Sequence, residues 1–370
     1  MQYVATAAFS LEGNVKRELA ALGAENPCCE LGGVRFEGDW LQAFRANLWL
    51  RQADRVLLIV GEGRAESFEE LFQLVRAMPW HRYLPKNASF PVSGKCARST
   101  LMSVRDCQAI TKKAIAEAMK AAYHVNWCPE DGPVYQVDVS IHENSVRLTL
   151  DTSGDALNRR GYRTWNGEAP LRETLAAALV DMSAWRPDGD WRLHDPCCGT
   201  GTLLIEAALM QADRAPGLRR AFAMEKWAHV PAETFRLARQ EALDRYQPDR
   251  IRGISGSDAD PQALALCKKH IAQAGLGGRI TVYQKDLREL KVEGEGGLCF
   301  LCNPPYGERL GDRRQCEGLY REMHALQLRH PGSRMNVICA HTGFERCFGQ
   351  RALRRRRLYN GRLECEFYSF

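Results

Sequence analysis

The segment NPPYG, residues Asn303 to Gly307, places a side-chain amide, two prolines and an aromatic ring directly behind the apolar run Gly297 to Cys302. Each proline lacks an N–H and has a fixed φ, so the pair ends any sheet ladder and holds the following backbone open. The Asn303 side-chain oxygen and the Pro304 carbonyl can each accept a hydrogen from one exocyclic amine, and Tyr306 offers a ring on which a base can stack. These groups suit methyl transfer to a nucleobase amine, with most of the rate coming from alignment.

A second group of candidate residues is the segment DPCCGTGT, which begins at Asp195. The pattern predicts a strand from Trp191 to Asp195, a Gly-x-Gly turn at Gly199 and Gly201, and a following helix. An α/β sheet uses this arrangement to bring its backbone close to a cofactor. A nicotinamide site would require a third glycine, where Leu204 stands, and an acidic residue about 20 positions further on. Since neither occurs at the expected spacing, the segment disfavours a dehydrogenase.

Two further carboxylates stand at the ends of the next predicted strands. Asp258 follows the strand Ile251 to Ser257 within GSDAD, where a carboxylate can accept both ribose hydroxyls of an adenosyl group. Asp286 follows the strand Ile280 to Lys285, in a position suited to an adenine amino group. A single Asp at a strand end is more often a turn former or a helix cap. Three in register, counting Asp195, favour S-adenosylmethionine as the cofactor.

Alternating strands and helices must position these groups, and from about Glu168 the chain predicts a doubly wound parallel sheet. Further predicted elements are the helices Thr202 to Ala212 and Pro261 to Ala274 and the strands Leu298 to Cys302 and Met335 to Ala340. The segment Met210 to Arg250 is longer than a simple crossover and predicts an extra helical excursion. Asn360-Gly361, between Leu353 to Tyr359 and Arg362 to Phe370, is a strong hairpin signal. A parallel sheet that ends in an antiparallel hairpin is typical of methyltransferases.

The part of the chain before this sheet has a different pattern. Alternating apolar residues from Tyr135 to Leu150 predict a hairpin, and Val104 to Tyr123 predicts an amphipathic helix. Val4 to Val60 mixes short strand-like runs with a helix from Leu41 to Leu50, which indicates a small α+β unit. A linker is expected from Thr152 to Gly167. The long helix carries, away from its apolar face, three cations that form either a solvated face or a surface for a polyanion: Lys112, Lys113 and Lys120.

Composition limits the remaining possibilities. With 370 residues, 45% of them hydrophobic, the chain is long enough for two or three domains with real cores. Its formal net charge of +6 permits a polyanionic partner. The first residues lack a secretory pattern and no apolar stretch reaches the ~18 residues of a membrane span, so we expect a cytoplasmic protein without a membrane segment. The single CxxC, Cys299 to Cys302, points its sulfurs to opposite strand faces, and we expect buried thiols rather than a metal site.

DPCCGTGT, GSDAD, the strand-end Asp286 and NPPYGERL together resemble the THUMP-containing RNA methyltransferases, in particular the RlmL type that methylates guanine N2 in 23S ribosomal RNA. The resemblance covers nearly the whole chain. It implies α+β ferredoxin-like (1–60) and THUMP (61–155) domains, followed by an α/β Rossmann-like class I methyltransferase domain (156–370) that ends in the antiparallel hairpin. The partner it implies is RNA, either 23S ribosomal RNA or a ribosome assembly intermediate.

The resemblance also implies roles for individual residues. It assigns binding of the target base to Asn303, Pro304, Pro305 and Tyr306. It assigns binding of S-adenosylmethionine to Asp195, Pro196, Cys197, Gly199, Thr200, Gly201, Thr202, Asp258, Asp286 and Asn303. The motif RRGYR, residues Arg159 to Arg163, and the segment APLRETLAAAL, which begins at Ala169, should border the substrate cleft. Some members carry a second methyltransferase domain behind this one, and because this chain ends at Phe370 we expect the activity of that domain to be absent.

Three other functions are compatible with these motifs. Adenine N6 is also an exocyclic amine, so the same tetrapeptide occurs in adenine-N6 methyltransferases that act on DNA or RNA. Relatives that methylate guanine N2 in transfer RNA share both the THUMP domain and the NPPY pattern. A non-catalytic RNA-binding protein would have lost cofactor binding, which the intact Asp195, Asp258 and Asn303 make the weakest of the three.

Overall fold

The computed structural model describes residues 1–163, 171–307 and 312–370, which form two seven-stranded sheets with helices packed against them. The N-terminal part contains β1 Gln2–Ala7, α1 Glu12–Ala21, β2 Glu25–Glu30, β3 Gly33–Glu37, α2 Trp40–Trp49, β4 Ala53–Arg64, α3 Phe68–Arg76, β5 Val92–Ala97, α4 Val104–Tyr123, β6 Val137–His142 and β7 Ser145–Asp151. The C-terminal part contains α5 Glu173–Met182, β8 Arg192–Asp195, α6 Thr202–Gln211, α7 Ala232–Arg245, β9 Ile254–Asp258, α8 Pro261–Gln273, β10 Thr281–Gln284, β11 Leu298–Cys302, α9 Asp312–Arg329, β12 Arg334–Cys339, α10 Phe344–Phe348, β13 Arg354–Asn360 and β14 Leu363–Ser369.

The N-terminal sheet has the strand order β2-β3-β1-β4-β7-β6-β5 and is continuous across both expected N-terminal domains. Strand β4 joins the two halves because its first part, up to Leu58, pairs with β1, and its second part, from Leu57 to Arg64, pairs antiparallel with β7 through a register shift between Ile59 and Gly61. The strand therefore crosses the expected boundary between residues 60 and 61, and the two units share one sheet.

The C-terminal sheet has the order β10-β9-β8-β11-β12-β14-β13. Strands β8 to β12 are parallel, and β14 lies antiparallel between β12 and β13. The terminal hairpin turns at Gly361, whose φ is +66°, which is a conformation that glycine adopts without strain. This order is that of a Rossmann-like methyltransferase with a C-terminal antiparallel hairpin, so the predicted fold class is confirmed.

The excursion between α6 and β9 packs into the core of the N-terminal part. Its residues Phe222, Met224, Trp227 and Val230 are at most 5% exposed and belong to the same hydrophobic cluster as the two N-terminal units. The Trp227 ring stacks on Tyr135 at 4.9 Å and meets Trp40 edge-on at 6.1 Å. This segment of the C-terminal part therefore packs the two parts of the chain against each other. The sequence predicted the excursion but not this packing.

No helix within residues 1–163, 171–307 and 312–370 is long and apolar enough to cross a membrane. No two cysteines of the described ranges form a disulfide, and Cys299 and Cys302 are buried on the central strand β11. Within the described ranges no group of His, Cys, Asp and Glu side chains is arranged to hold a metal ion.

Candidate active site

The two predicted chemical segments meet where the C-terminal sheet reverses direction. The chain runs from β8 outward through β9 to β10, then crosses back to place β11 on the other side of β8. In the parallel pairing of β8 and β11, Phe300 stands opposite His194, so the loop after Asp195 and the turn from Asn303 leave neighbouring strand ends. The crevice at such a switch point is where open α/β sheets bind ligands.

The loop from Asp195 to Thr202 is shaped by two glycines in the left-handed region. Gly199 has φ +48° and Gly201 has φ +83°, and the Gly201 N–H donates to the Cys198 carbonyl at 2.7 Å to close a tight turn. A Cβ on Gly201 would lie 2.5 Å from Cys267 Sγ on α8, whereas a Cβ on Gly199 would meet nothing within 4 Å. Gly201 therefore allows close packing of the loop on α8, and Gly199 leaves an open cradle above the loop.

Asp195 carries a carboxylate that is buried at the start of this loop. The side chain accepts the Cys197 N–H at 3.1 Å and the residue is 2% exposed. Among the described residues no Lys, Arg or His forms an ion pair with it. Burial, with the nearby Asp258 adding to it, raises the pKa of this carboxyl well above its usual range. A ligand that brings a cation to this loop would restore the charged form, and the ammonium of the methionine moiety of S-adenosylmethionine is such a cation.

Asp258 ties the second strand end to the loop. One oxygen of its carboxylate accepts the Gly199 N–H at 2.8 Å and the other accepts the Asp260 N–H at 3.0 Å. A carboxylate oxygen has two lone pairs, so beside these two bonds the carboxylate has the capacity to accept hydroxyl hydrogens from a ribose. Because it fixes Gly199, Asp258 also shapes the open cradle above the loop.

Asp286 stands at the third strand end as the cap of a short 3₁₀ turn, Leu287–Glu289. Its carboxylate accepts the Arg288 N–H at 2.9 Å and pairs with the Arg288 guanidinium at 2.5 Å. The Arg288 side chain and backbone hold the pKa of Asp286 down to about 2, so the carboxylate stays ionised and remains an acceptor. Its predicted contact with an adenine amino group stays a prediction.

The turn after β11 has its predicted groups in contact with one another. The Tyr306 hydroxyl donates to Asn303 Oδ1, and the Tyr306 ring packs against the apolar clusters on both faces of the sheet. Burial raises the pKa of Tyr306 above its usual range, which keeps the hydroxyl a donor. An amine that binds Asn303 Oδ1 would therefore share this oxygen with the Tyr306 hydroxyl. The residues Glu308 to Leu310 of NPPYGERL lie outside the described residues.

One residue near this turn was not among the sequence predictions. Tyr320 on α9 donates its hydroxyl to the Pro305 carbonyl at 2.8 Å and is fully buried. A signal for burial was present, since Cys316, Tyr320 and Met323 recur at helical spacing on one face of α9. Nothing in that pattern identified its partner.

The motif RRGYR supports the start of α6 from behind. Arg160 lies 3.6 Å from the Glu206 carboxylate, with both side chains almost fully buried, and Tyr162 donates to the same carboxylate at 2.9 Å. Arg163 donates to Thr202 Oγ1, at the first position of α6, and pairs with Glu173 of α5 at 3.3 Å. These residues hold the loop from Asp195 to Thr202 in place. Ala169 and Pro170 of the second expected segment lie outside the described residues.

The arginine run of β13 is engaged within the protein. Arg355 pairs with Glu345 at 3.2 Å and Arg357 with Glu364 at 3.4 Å. Arg356 points the other way and donates to the Ser10 carbonyl and, at 3.2 Å, to Asn14 Oδ1. Most of this run therefore fixes the hairpin and the N-terminal unit.

Comparison with known families divides the chain into three matched regions. The RlmL ferredoxin-like domain matches residues 2–57, the THUMP domain residues 65–151, and the RMKL-like methyltransferase domain residues 160–369. The last match alone covers more than half of the chain.

Individual proteins give the same result. "Putative RNA methyltransferase YpsC" of Bacillus subtilis is 39% identical over 99% of this chain and 95% of its own length. "Ribosomal RNA large subunit methyltransferase K/L" of Methylococcus capsulatus is 38% identical over the whole chain, which spans 51% of that protein. Among solved structures, "a predicted N6-adenine-specific DNA methylase from Listeria monocytogenes" (44% identity) and "SMU.472, a putative methyltransferase complexed with SAH" (38% identity) each superpose with a TM-score of 0.94 over the whole chain, covering 95% and 97% of those chains.

Proposed function

Since the chain belongs to the THUMP-containing RNA methyltransferases of the RlmK/L family, which use S-adenosylmethionine, we propose that it methylates the exocyclic N2 amine of a guanine in 23S ribosomal RNA or a ribosome assembly intermediate. The observation that carries the proposal is the adjacency of the Asp195 loop and the Asn303 turn at the switch point between β8 and β11. Such a substrate would place the enzyme in the cytoplasm.

The cofactor would be held by the loop and the three strand-end carboxylates. The buried Asp195, which pairs with no cation among the described residues, fits the ammonium group of the cofactor. The open space over Gly199 lets the cofactor approach the backbone closely, and Asp258 fits the ribose hydroxyls. Asp286 would accept from the adenine amino group. Cys197, Thr200 and Thr202 complete the loop, with Thr202 fixed by Arg163.

The reaction needs an amine held in one orientation. When bound, S-adenosylmethionine supplies an electrophilic methyl group, whose bond to sulfur breaks as the bond to the amine nitrogen forms. Asn303 Oδ1 and the Pro304 carbonyl would each accept one amine hydrogen and so direct the nitrogen lone pair. The alkylated nitrogen is cationic and loses its proton to solvent afterwards. A guanine must leave its stack to reach this edge, and the face of the Tyr306 ring would receive it.

The N-terminal part offers a surface suited to unpaired RNA. Trp127, just after α4, is 74% exposed, which is unusual for an indole. The Tyr123 hydroxyl at the end of α4 donates to the Leu84 carbonyl at 2.8 Å, which holds the exposed cations Arg82 and Lys86 beside this end of the helix. An exposed aromatic ring among cations can stack a base and neutralise phosphates.

The choice of base and of RNA rests on the family. The relatives named for ribosomal RNA favour ribosomal RNA over transfer RNA, and the RlmL-type motifs favour guanine N2. The second candidate is adenine N6, because the Listeria relative is titled an adenine-specific DNA methylase and adenine N6 is also an exocyclic amine.

Methylation in vitro tests the proposal. Unmodified 23S ribosomal RNA, transfer RNA and duplex DNA would each be incubated with labelled S-adenosylmethionine, and the product nucleosides identified by mass spectrometry. We expect N2-methylguanosine from the ribosomal RNA, and none with the Asn303→Ala variant as a matched control. If the product is N6-methyladenosine, the proposed base is wrong and the target is adenine. If only transfer RNA is methylated, the proposed RNA is wrong. If no substrate gives a product, the proposal is contradicted.

A further inference from the structure

Tyr320 is the buried hydroxyl that holds the catalytic turn. It lies on α9, fully buried, and donates to the Pro305 carbonyl at 2.8 Å. Its ring is fixed by edge-on contacts with Phe344 at 4.8 Å and His341 at 5.6 Å, and the Cys339 thiol donates to its oxygen at 3.4 Å. The hydroxyl is thus placed by its surroundings and can impose its position on the turn.

Between the Cα of Asn303 and the carbonyl of Pro305, the two prolines restrict every soft backbone torsion except one. The rings of Pro304 and Pro305 fix φ at both residues. Asn303 and Pro304 each precede a proline, which confines ψ at both to the extended region. The ψ angle of Pro305 remains, and it determines both where the Pro305 carbonyl points and where the Tyr306 Cα lies relative to Asn303.

We propose that Tyr320 is a positioning residue for methyl transfer: by holding the Pro305 carbonyl it sets ψ of Pro305, and so fixes the Tyr306 ring relative to the Asn303 and Pro304 acceptors. Asn303 and Pro304 are anchored by β11, whereas Tyr306 lies beyond the free torsion. Without the hydrogen bond from Tyr320, a base stacked on Tyr306 would not stay in position relative to the two oxygens that accept its amine hydrogens. A small misplacement of the amine strongly reduces the rate of methyl transfer. Burial also raises the pKa of Tyr320, which keeps it a donor at any working pH.

This inference rests on the proposed function, and the Tyr320→Phe variant tests it because it removes one hydroxyl and keeps the ring. We expect kcat to fall about tenfold, which is the effect of ~1.4 kcal/mol on a barrier. The KM for S-adenosylmethionine and the thermal midpoint should stay at their wild-type values. Tyr3→Phe is the matched control, since Tyr3 is also fully buried and its hydroxyl donates to the Asp39 carbonyl at 3.4 Å, in the N-terminal sheet.

Two further measurements separate positioning from simple loss of packing. Replacement of Tyr320 by 4-aminophenylalanine keeps a donor at the same ring position and should restore most of kcat. In the Tyr306→Ala background, Tyr320→Phe should have little further effect, because the ring that it positions is gone. The inference would be overturned if the loss of kcat in the double variant equalled the product of the losses in the two single variants. It would also be overturned if Tyr3→Phe lowered kcat as much as Tyr320→Phe.

Hydrogen exchange supplies a readout that does not require activity. In a peptide covering 303–307 the two prolines have no amide hydrogen, so the other residues report the exchange. We expect their amides to exchange faster in Tyr320→Phe than in the wild type. An inactive wild type with this difference would contradict the proposed function and leave the positioning role standing. An active wild type with unchanged exchange and unchanged kcat in the variant would contradict the positioning role alone.

Discussion

The excursion between α6 and β9 gives the strongest prediction about stability: a chain shortened to residues 152–370 should not form a stable cofactor-binding domain. In the full chain Phe222, Met224, Trp227 and Val230 are buried against the N-terminal units. Fully burying a large apolar side chain contributes about 1.5–3 kcal/mol, so these four contribute about 6–12 kcal/mol. The whole free energy of unfolding of a domain is typically about 5–15 kcal/mol. Exposure of this surface would therefore remove most of the stability.

Circular dichroism during heating and calorimetric titration with S-adenosylmethionine would compare the shortened and full chains. We expect the shortened chain to lose cooperative unfolding or to melt at a much lower temperature, with weak cofactor binding. In the full chain, Trp227→Ala should cost about 3–5 kcal/mol. Leu237→Ala, at a 41% exposed position of α7, is the control and should stay within about 0.5 kcal/mol of the wild type. A shortened chain that melts cooperatively at the full-length temperature and binds the cofactor equally well would refute the reasoning.

The remaining predictions concern the site. Because burial raises the pKa of Asp195 and protonation removes the charge that would bind an ammonium group, cofactor affinity should fall as pH falls through that raised pKa, and calorimetry should show this dependence lost in Asp195→Asn. Asp258→Ala removes two hydrogen bonds to a charged acceptor, so cofactor binding should weaken by about 3 kcal/mol in the same titration. Asn303→Ala should reduce turnover while leaving cofactor affinity nearly intact, and Tyr306→Ala should reduce activity about ten- to a hundredfold in methylation assays, the value of one stacked base. Trp127→Ala should weaken binding of single-stranded RNA by about 1–3 kcal/mol in a filter-binding assay, without changing cofactor affinity.

The sequence predicted those parts of the fold in which local signals and tertiary structure agree. The helix Val104–Tyr123 and the strand Leu298–Cys302 have the predicted bounds, because a capped amphipathic pattern and a proline pair mark their ends. The terminal hairpin was predicted from Asn360-Gly361, because this dipeptide strongly favours a two-residue hairpin turn. The strand ends that carry Asp195 and Asp258 were predicted for the same reason, since turn residues follow apolar runs.

Contacts between distant segments could not be predicted in this way. The docking of Trp227 between Trp40 and Tyr135 joins residues far apart in sequence, and no periodicity in the excursion specifies that partner. Tyr306 was predicted from its residue type as a ring on which a base can stack, and that role stays a prediction. The contact of its hydroxyl with Asn303 and the partial burial of its ring were not predicted. Aromatic character predicts what a side chain can do, but the direction in which it points is decided by the surrounding packing.

The shared core has a consequence for how an RNA would be selected. Trp227 and its neighbours are buried in the same cluster as β4, and β4 links the two N-terminal units through one sheet. Arg356 adds a contact from the terminal hairpin to the loop at Ser10, and Arg45 of α2 pairs with Glu241 of α7 at 2.5 Å. Hinge motion between domains requires an interface that can separate at a low cost in free energy. Separating an apolar interface such as this one would expose buried apolar side chains to water, which costs much more. The surface around Trp127 and the turn at Asn303 would therefore keep a fixed distance from each other. An RNA would be selected if its shape places an unpaired segment and the target base at that distance.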